Sequence, residues 1–107
     1  MINQNKVLGL IGLSARARKI EYGADAVEEA IKRKKVKLVI VAEDAADRTK
    51  ENFKFLCNKA NINYIVFGNK EKISKAIGKD NKAVIAIKDK NLSNGIYKII
   101  CGGEAIG

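Results

Sequence analysis

The run of residues 37–42, Lys-Leu-Val-Ile-Val-Ala, constrains the fold of this chain more than any other segment. It lacks the apolar–polar alternation of a half-exposed strand, so it predicts a strand that is buried on both faces. Residues 83–87, Ala-Val-Ile-Ala-Ile, have the same character, and residues 18–22 and 63–67 are further strand candidates. Buried strands of this kind need a layer of helices on each side of the sheet.

The segments between these strands carry apolar residues at helical spacing. Asp25 and Asn69 are placed to cap two of them, and Gly78 follows the end of the helix that Asn69 begins. Helices that alternate with short buried strands predict an α/β chain, a three-layer α/β/α sandwich with a small mixed sheet of about four strands. The length predicts one domain over residues 1–107. The expected helices cover residues 5–17, 25–35, 47–60, 69–77 and 91–101.

The residue types that are missing exclude several kinds of site. The sequence has no His and only two Cys, Cys57 and Cys101, which lie far apart. Imidazole-based triads, His-ligated metals and Cys-only zinc sites are therefore excluded, and no cofactor is expected. Neither glycine-rich phosphate-loop motif occurs in the chain. Both thiols are expected to be buried in a reducing cytoplasm.

Residues 7–15 are the longest uncharged run of strongly apolar character, and they number nine against the roughly 20 that span a bilayer. Basic residues at 16, 18 and 19 crowd the place where a signal peptide would be cleaved. We therefore expect a mature N-terminal helix, no membrane association and a cytoplasmic protein.

The basic residues are the most informative feature for function. Lys and Arg number 21 against 12 Asp and Glu, which gives a net charge of +9. Such an excess favours a polyanionic partner. The aromatic residues form no interleaved platform for single strands, so structured RNA bound through its backbone fits better. The basic residues fall into three groups: Arg16, Arg18 and Lys19; Lys32, Arg33, Lys34, Lys35 and Lys37; and Lys70, Lys72, Lys75, Lys79 and Lys82.

Several short motifs, taken in order and spacing, resemble a known family. They are Gly-x-Asp at 23–25, Leu-Val-Ile-Val-Ala-Glu-Asp-Ala at 38–45, Asn-Tyr-Ile-Val at 63–66 and Lys-Ile-Ser-Lys-Ala-Ile-Gly at 72–78. Residues 7–100 thereby resemble the L7Ae/L30e ribosomal protein superfamily, and the opening at 10–19 is similar to its bacterial YlxQ-like branch. The resemblance implies a small α/β/α sandwich that binds kink-turn RNA.

The family's RNA reader, Gly-x-Asn-Glu-x-x-Lys, corresponds to residues 23–29, and of its named positions only Gly23 is kept. Asp25 lacks the amide donors of Asn, Ala26 lacks the acceptor of Glu, and Glu29 reverses the charge of Lys. Base contacts are worth about 1–3 kcal/mol each, so losing two or three would cost roughly 3–8 kcal/mol. Phosphate contacts recover affinity but not specificity. The resemblance therefore implies a kink-turn-type site with altered specificity.

The family's second contact region precedes the last strand, where Lys79-Asp80-Asn81-Lys82 replaces its usual apolar wedge and favours phosphate contact. We expect lysines and arginines to contact phosphates, and the backbone N–H groups at Gly23 and Asp25 to face the RNA. The predicted RNA-binding residues are Gly23, Ala24, Asp25, Ala26, Glu29, Lys32, Arg33, Lys75, Gly78, Lys79, Asn81 and Lys82.

Three hypotheses for function follow. The first is a non-enzymatic protein, monomeric when free, that binds structured RNA such as ribosomal RNA in a ribosome or another ribonucleoprotein. The second is a protein-interaction module that kept the scaffold and lost the reader, which Glu29 favours. The third is a metal-dependent phosphoryl enzyme in which Glu43 and Asp44 hold Mg²⁺. The alternative explanation for that acidic pair is capping of the third helix.

Overall fold

The computed structural model describes residues 3–101, in which five helices alternate with four strands. Asn3, Asn69 and Asp89 each cap a helix by accepting a backbone N–H with the side chain, as the sequence predicts for Asn69. The elements are α1 (Gln4–Arg16), β1 (Ile20–Tyr22), α2 (Ala24–Lys32), β2 (Leu38–Val41), α3 (Asp47–Ala60), β3 (Asn63–Val66), α4 (Lys70–Ala76), β4 (Val84–Ile87) and α5 (Lys90–Ile100).

The strands form one mixed sheet in the order β1-β4-β2-β3. Strands β2 and β3 are parallel, and β4 runs antiparallel to both of its neighbours. All four residues of β2 and of β4 are buried, because these two strands lie in the middle of the sheet. The prediction that residues 37–42 and 83–87 hold strands buried on both faces is confirmed.

Alternate residues of the central strands β2 and β4 enter two separate cores, one on each face of the sheet. Leu38 and Ile40 pack with residues of α1, α4 and α5, whereas Val39 and Val41 pack with residues of α2 and α3. The two apolar layers on opposite faces confirm the α/β/α sandwich.

The first four helices end in the same turn, and this corrects several predicted boundaries. In each, one residue has left-handed backbone, and the N–H of the next residue donates to the carbonyl five positions earlier, as Lys19 does to Ser14 over 2.8 Å. The turn ends α2 at Lys32 rather than at residue 35, and β1 begins at Ile20 rather than at residue 18. The left-handed residues are Arg18 (φ +59°), Lys34 (+59°), Asn61 (+60°) and Gly78 (+72°).

The two cysteines have different surroundings. Cys57 lies in the core between α3 and the sheet, and burial raises the pKa of its thiol to about 11. Cys101 caps the C-terminal end of α5 and is exposed, so the expectation that both thiols are buried is wrong for Cys101. Its position past the last apolar turn of the helix accounts for the difference.

Candidate nucleic-acid interface

Four turns meet at one end of the sheet, beyond the ends of its strands. We call this end the rim, and it comprises residues 22–26, 42–46, 67–70 and 78–83. They come together because β1, β2 and β3 all end there, whereas the antiparallel β4 begins there. Backbone hydrogen bonds join them. The N–H of Gly23 donates to the carbonyl of Val84 over 2.9 Å. The N–H of Ala42 donates to the carbonyl of Ala83 over 2.8 Å, and the N–H of Glu43 donates to the carbonyl of Gly68 over 2.8 Å.

Helix α2 begins at the rim without a side-chain cap. Its N-cap residue is Gly23 (φ +90°, ψ 148°), not Asp25 as the sequence predicts, since Asp25 already lies in the first helical turn. This backbone conformation is close to a region that only glycine adopts readily. The first N–H groups of a helix have no partner within it, so those of Ala24, Asp25 and Ala26 are available to an anion. All three residues are exposed.

Two lysines of the turn 78–83 lie over the ring of Tyr22, the residue that precedes the helix start. The Nζ atoms of Lys79 and Lys82 are 5.1 Å and 5.6 Å from the ring centroid, within cation–π range. Neither lysine forms an ion pair with any residue between 3 and 101. Two lysine side chains outside any ion pair therefore stand beside the N-terminus of α2, whose first turn carries the acidic Asp25.

A buried serine holds the lysine turn in place. The Ser74 hydroxyl in α4 accepts the N–H of Lys82 at 2.7 Å and donates to the Lys82 carbonyl at 3.3 Å. Gly78 and Asn81 both have left-handed backbone (φ +72° and +53°), which folds the turn back toward β4. Lys75 lies in the last turn of α4 and is exposed. The structure thus places Lys79 and Lys82 beside the start of α2, and Lys75, Gly78, Lys79 and Asn81 around one cavity. That these residues bind RNA stays a prediction.

An open cavity of about 700 Å³ lies between α4 and the turn 78–83, and its lining contains three lysines (Lys70, Lys75, Lys79) and three carboxylates (Asp44, Glu71, Asp80). The Oδ1 atom of Asp44 accepts the backbone N–H of Lys70 at 2.9 Å. Asp44 therefore adds a second side-chain acceptor to the start of α4, which Asn69 caps. Helix α3 has Ala46 as its N-cap, so the capping explanation holds for a different helix. Residues 3–101 contain no group of three or more Asp, Glu, Cys or His side chains that could hold a metal.

Lys32 and Arg33 lie at the opposite end of α2 from Gly23. Lys32 lies eight positions after Ala24, which is about 12 Å of helix. Each is paired on the helix surface, Lys32 with Glu28 at 3.5 Å and Arg33 with Glu29 at 2.9 Å. The structure does not bring these predicted RNA-binding residues together with the rim.

Sequence reasoning missed two residues that shape the rim. One is Tyr22, which contributes to no aromatic platform in the sequence but whose position directly before Gly23 is a signal. Ser74 is a polar residue between the apolar Ile73 and Ile77 on the inner face of α4, and a buried hydroxyl there needs a partner.

A mixed four-stranded sheet between two helical layers, with charged loops and an uncapped helix start at one end of the sheet, defines the class: a small α/β/α sandwich. The chain belongs to the ribosomal protein L7Ae/L30e/S12e/Gadd45 family, whose model matches residues 5–97. The resemblance noted from sequence is thereby confirmed.

Relatives and solved structures agree with this assignment. The chain is 31% identical to the RNA-binding protein YlxQ of Bacillus subtilis (strain 168) over 91 residues, 85% of this chain and 91% of that protein. It is also 31% identical to the RNA-binding protein YlxQ of Enterococcus faecium over 100 residues, covering 94% and 96%.

Two solved structures share the fold. A Bacillus halodurans C protein described as having unknown function has a TM-score of 0.87 at 36% identity, with 90% of this chain and 97% of that one covered. The Giardia lamblia 15.5kD RNA binding protein has a TM-score of 0.77 at 25% identity, with 96% and 88% covered. Across residues 3–101 of this chain, every helix falls short of the length and apolar character required to cross a bilayer.

Proposed function

We propose that this chain is a non-enzymatic protein that binds structured RNA through the rim. One observation carries the proposal: the uncapped start of α2 lies beside Lys79 and Lys82, which have no acidic partner in the described part of the chain. Unpaired backbone N–H groups at a helix N-terminus together with fixed positive charge bind phosphate. The relatives from B. subtilis and E. faecium, both described as RNA-binding proteins, support RNA as the source of that phosphate.

The proposed contacts divide by chemistry. Lys75, Lys79 and Lys82 bind phosphates, and the turn at Gly78 and Asn81 lets the backbone approach the RNA closely. The N–H groups of residues 24–26 face the phosphate backbone or a base edge. Lys32 and Arg33 would meet only an RNA helix that follows α2 for its whole length, so we propose them as secondary contacts.

Specificity for the kink-turn is proposed to be altered. Asp25 and Ala26 stand in the exposed first turn of α2, where the family reader has Asn and Glu. Glu29 is held by Arg33 at 2.9 Å, so its charge is partly offset and directed along the helix surface. The rim therefore keeps the phosphate contacts and lacks the base contacts that distinguish a kink-turn from a plain duplex.

The proposal is tested by anisotropy titrations with a kink-turn hairpin and an unkinked duplex of equal length, at several salt concentrations. We expect log affinity to fall with log salt by roughly 0.7–0.9 for each phosphate neutralised. The K79A/K82A double variant should weaken binding and lower this slope by about 1.5. A matched control, K54A/K59A, removes the same charge from exposed positions on α3 and should lower the slope far less.

A second arm restores the reader. The triple substitution D25N/A26E/E29K should raise the preference for the kink-turn over the duplex by at least about a hundredfold, since the added base contacts are worth about 1–3 kcal/mol each. Binding that does not respond to salt, or a K79A/K82A variant that binds like K54A/K59A, would refute the rim as the RNA site. A protein partner that nuclease treatment does not remove would instead favour the interaction-module hypothesis.

The cellular setting belongs to the same proposal. We propose a cytoplasmic RNA-binding domain over residues 1–107 that is monomeric when free and joins a ribosome or another ribonucleoprotein, with ribosomal RNA as its partner. Light scattering of the free protein measures the monomer, and crosslinking in cells followed by sequencing identifies the RNA.

A further inference from the structure

A second concave surface lies along strand β1, on the side of the sheet covered by α1 and α4, and we call it the β1 groove. Its volume is about 520 Å³. Strand β1 is at the edge of the sheet, so the groove opens to solvent rather than into the core. The groove is lined by Ala15, Arg18, Ile20, Tyr22, Ile77, Lys79 and Lys88.

The lining combines an apolar floor with positively charged walls. Ala15, Ile20 and Ile77 form the floor, and Arg18, Lys79 and Lys88 provide the charges. Lys88 is paired with Glu21 at 3.0 Å, whereas Arg18 and Lys79 make no ion pair with any residue from 3 to 101. The groove therefore has a net positive charge and attracts an anion that also carries apolar surface.

Arg18 reaches the groove from an unfavourable backbone conformation. It is the left-handed residue after α1 (φ +59°), a position for which glycine is preferred and which Gly78 fills after α4. A cation near the C-terminus of a helix gains from the helix dipole, which explains part of its presence. The same explanation applies to Lys34 after α2, which has the same φ of +59° but does not line the groove.

The groove is continuous with the rim. Lys79 lines both the β1 groove and the cavity of about 700 Å³ beside α4. The ring of Tyr22 also lines the groove, and it lies under the ammonium groups of Lys79 and Lys82. A strand that leaves the rim past Tyr22 thus enters the groove directly.

We propose that the β1 groove binds a phosphate group of the RNA strand that continues beyond the rim, with the guanidinium of Arg18 as its main ligand. This inference rests on the proposed RNA-binding function and adds a second contact to it. Arginine suits the role because its planar guanidinium donates two parallel hydrogen bonds to one phosphate. Lys79 is shared between the two contacts, and the apolar floor accommodates the ribose.

The test compares R18G with K34G. Each variant removes one positive charge from the left-handed residue that follows a helix, α1 for R18G and α2 for K34G. Glycine is favoured at both positions, so both variants should fold at least as stably as the wild type, as measured by urea unfolding. With the kink-turn hairpin and the unkinked duplex as probes, R18G should weaken binding of each about tenfold and lower the salt slope by about 0.8. K34G should change affinity less than twofold, and R18K, which keeps the charge without the planar fork, should fall between them.

The outcomes separate this inference from the function on which it rests. If the wild type fails to bind either RNA, both are refuted. If the wild type binds and K79A/K82A weakens it, but R18G and K34G behave alike, only the β1 groove is refuted. A loss in R18G that exceeds the loss in K34G, with unchanged stability, supports the phosphate contact.

Discussion

The buried polar side chains of residues 3–101 are three serines, and they differ in how their hydroxyls are satisfied. Ser74 bonds both backbone groups of Lys82, at 2.7 Å and 3.3 Å. Ser14 donates to the carbonyl of Leu10 within its own helix at 2.8 Å. Ser93 finds no hydrogen-bond partner anywhere in residues 3–101. Replacing each by alanine removes the same atom, so the three variants isolate the effect of the hydrogen bond.

The expected stability changes follow from what each substitution leaves behind. S74A leaves the N–H of Lys82 without its partner, which costs about 1–2 kcal/mol because that group is only partly buried. S14A leaves no orphaned group, since the Leu10 carbonyl keeps its helical bond and alanine is the better helix former, so the change is about 0–1 kcal/mol. S93A removes an unsatisfied buried hydroxyl and should stabilise the fold by about 1 kcal/mol.

Thermal and urea unfolding measure this order. With an unfolding entropy of about 2.1 cal/mol/K per residue, the whole domain has about 220 cal/mol/K, so 1–2 kcal/mol shifts Tm by about 5–9 °C. S74A should also weaken RNA binding a few-fold without changing the salt slope, because it loosens the lysine turn but removes no charge. If S93A lost as much stability as S74A, the filled volume rather than the hydrogen bond would control these sites, and the reasoning would be refuted.

Three further predictions concern the core and the helix start. F53A should destabilise the fold by about 3–5 kcal/mol and F55A by less than about 0.5 kcal/mol, as measured in urea, because Phe53 is 1% exposed and Phe55 63% exposed. Burial raises the pKa of Cys57 from 9.0 to about 11, so the neutral thiol is favoured in the fold. Its contribution is intact below pH 9, and up to about 3 kcal/mol is lost as the pH rises toward 11. The C57A variant should lose less stability over this range, and part of the slope should remain because burial also raises the pKa of Tyr64. G23A should lower the free energy of unfolding by about 1–3 kcal/mol through backbone strain alone, since nothing lies within 4 Å of the added Cβ. Denaturant unfolding measures this change. A decrease below about 0.5 kcal/mol would show that the turn relaxes without strain.

Local patterns in the sequence predict most of the fold. The runs at 37–42 and 83–87 contain β2 and β4, α3 has the predicted bounds, and Asn69 caps α4. These features depend on side-chain periodicity and on hydrogen bonds within three or four residues, so they can be read from short segments. The errors at the ends of α1 and α2 also have a local cause, because Arg18 and Lys34 adopt a left-handed conformation that their residue types do not signal.

The candidate site depends on contacts between distant parts of the chain. The sequence by itself supplied the excess of positive charge, the glycine before α2 and the buried strands. Only the tertiary structure decided that Lys79 and Lys82 meet Tyr22 and that Asp44 accepts the first N–H of α4. It also decided that Lys32 lies about 12 Å along α2 from Ala24. The physical reason is the strand order β1-β4-β2-β3 with an antiparallel β4, an order selected by packing on both faces of the sheet. This order places the start of β4 beside the ends of the other three strands.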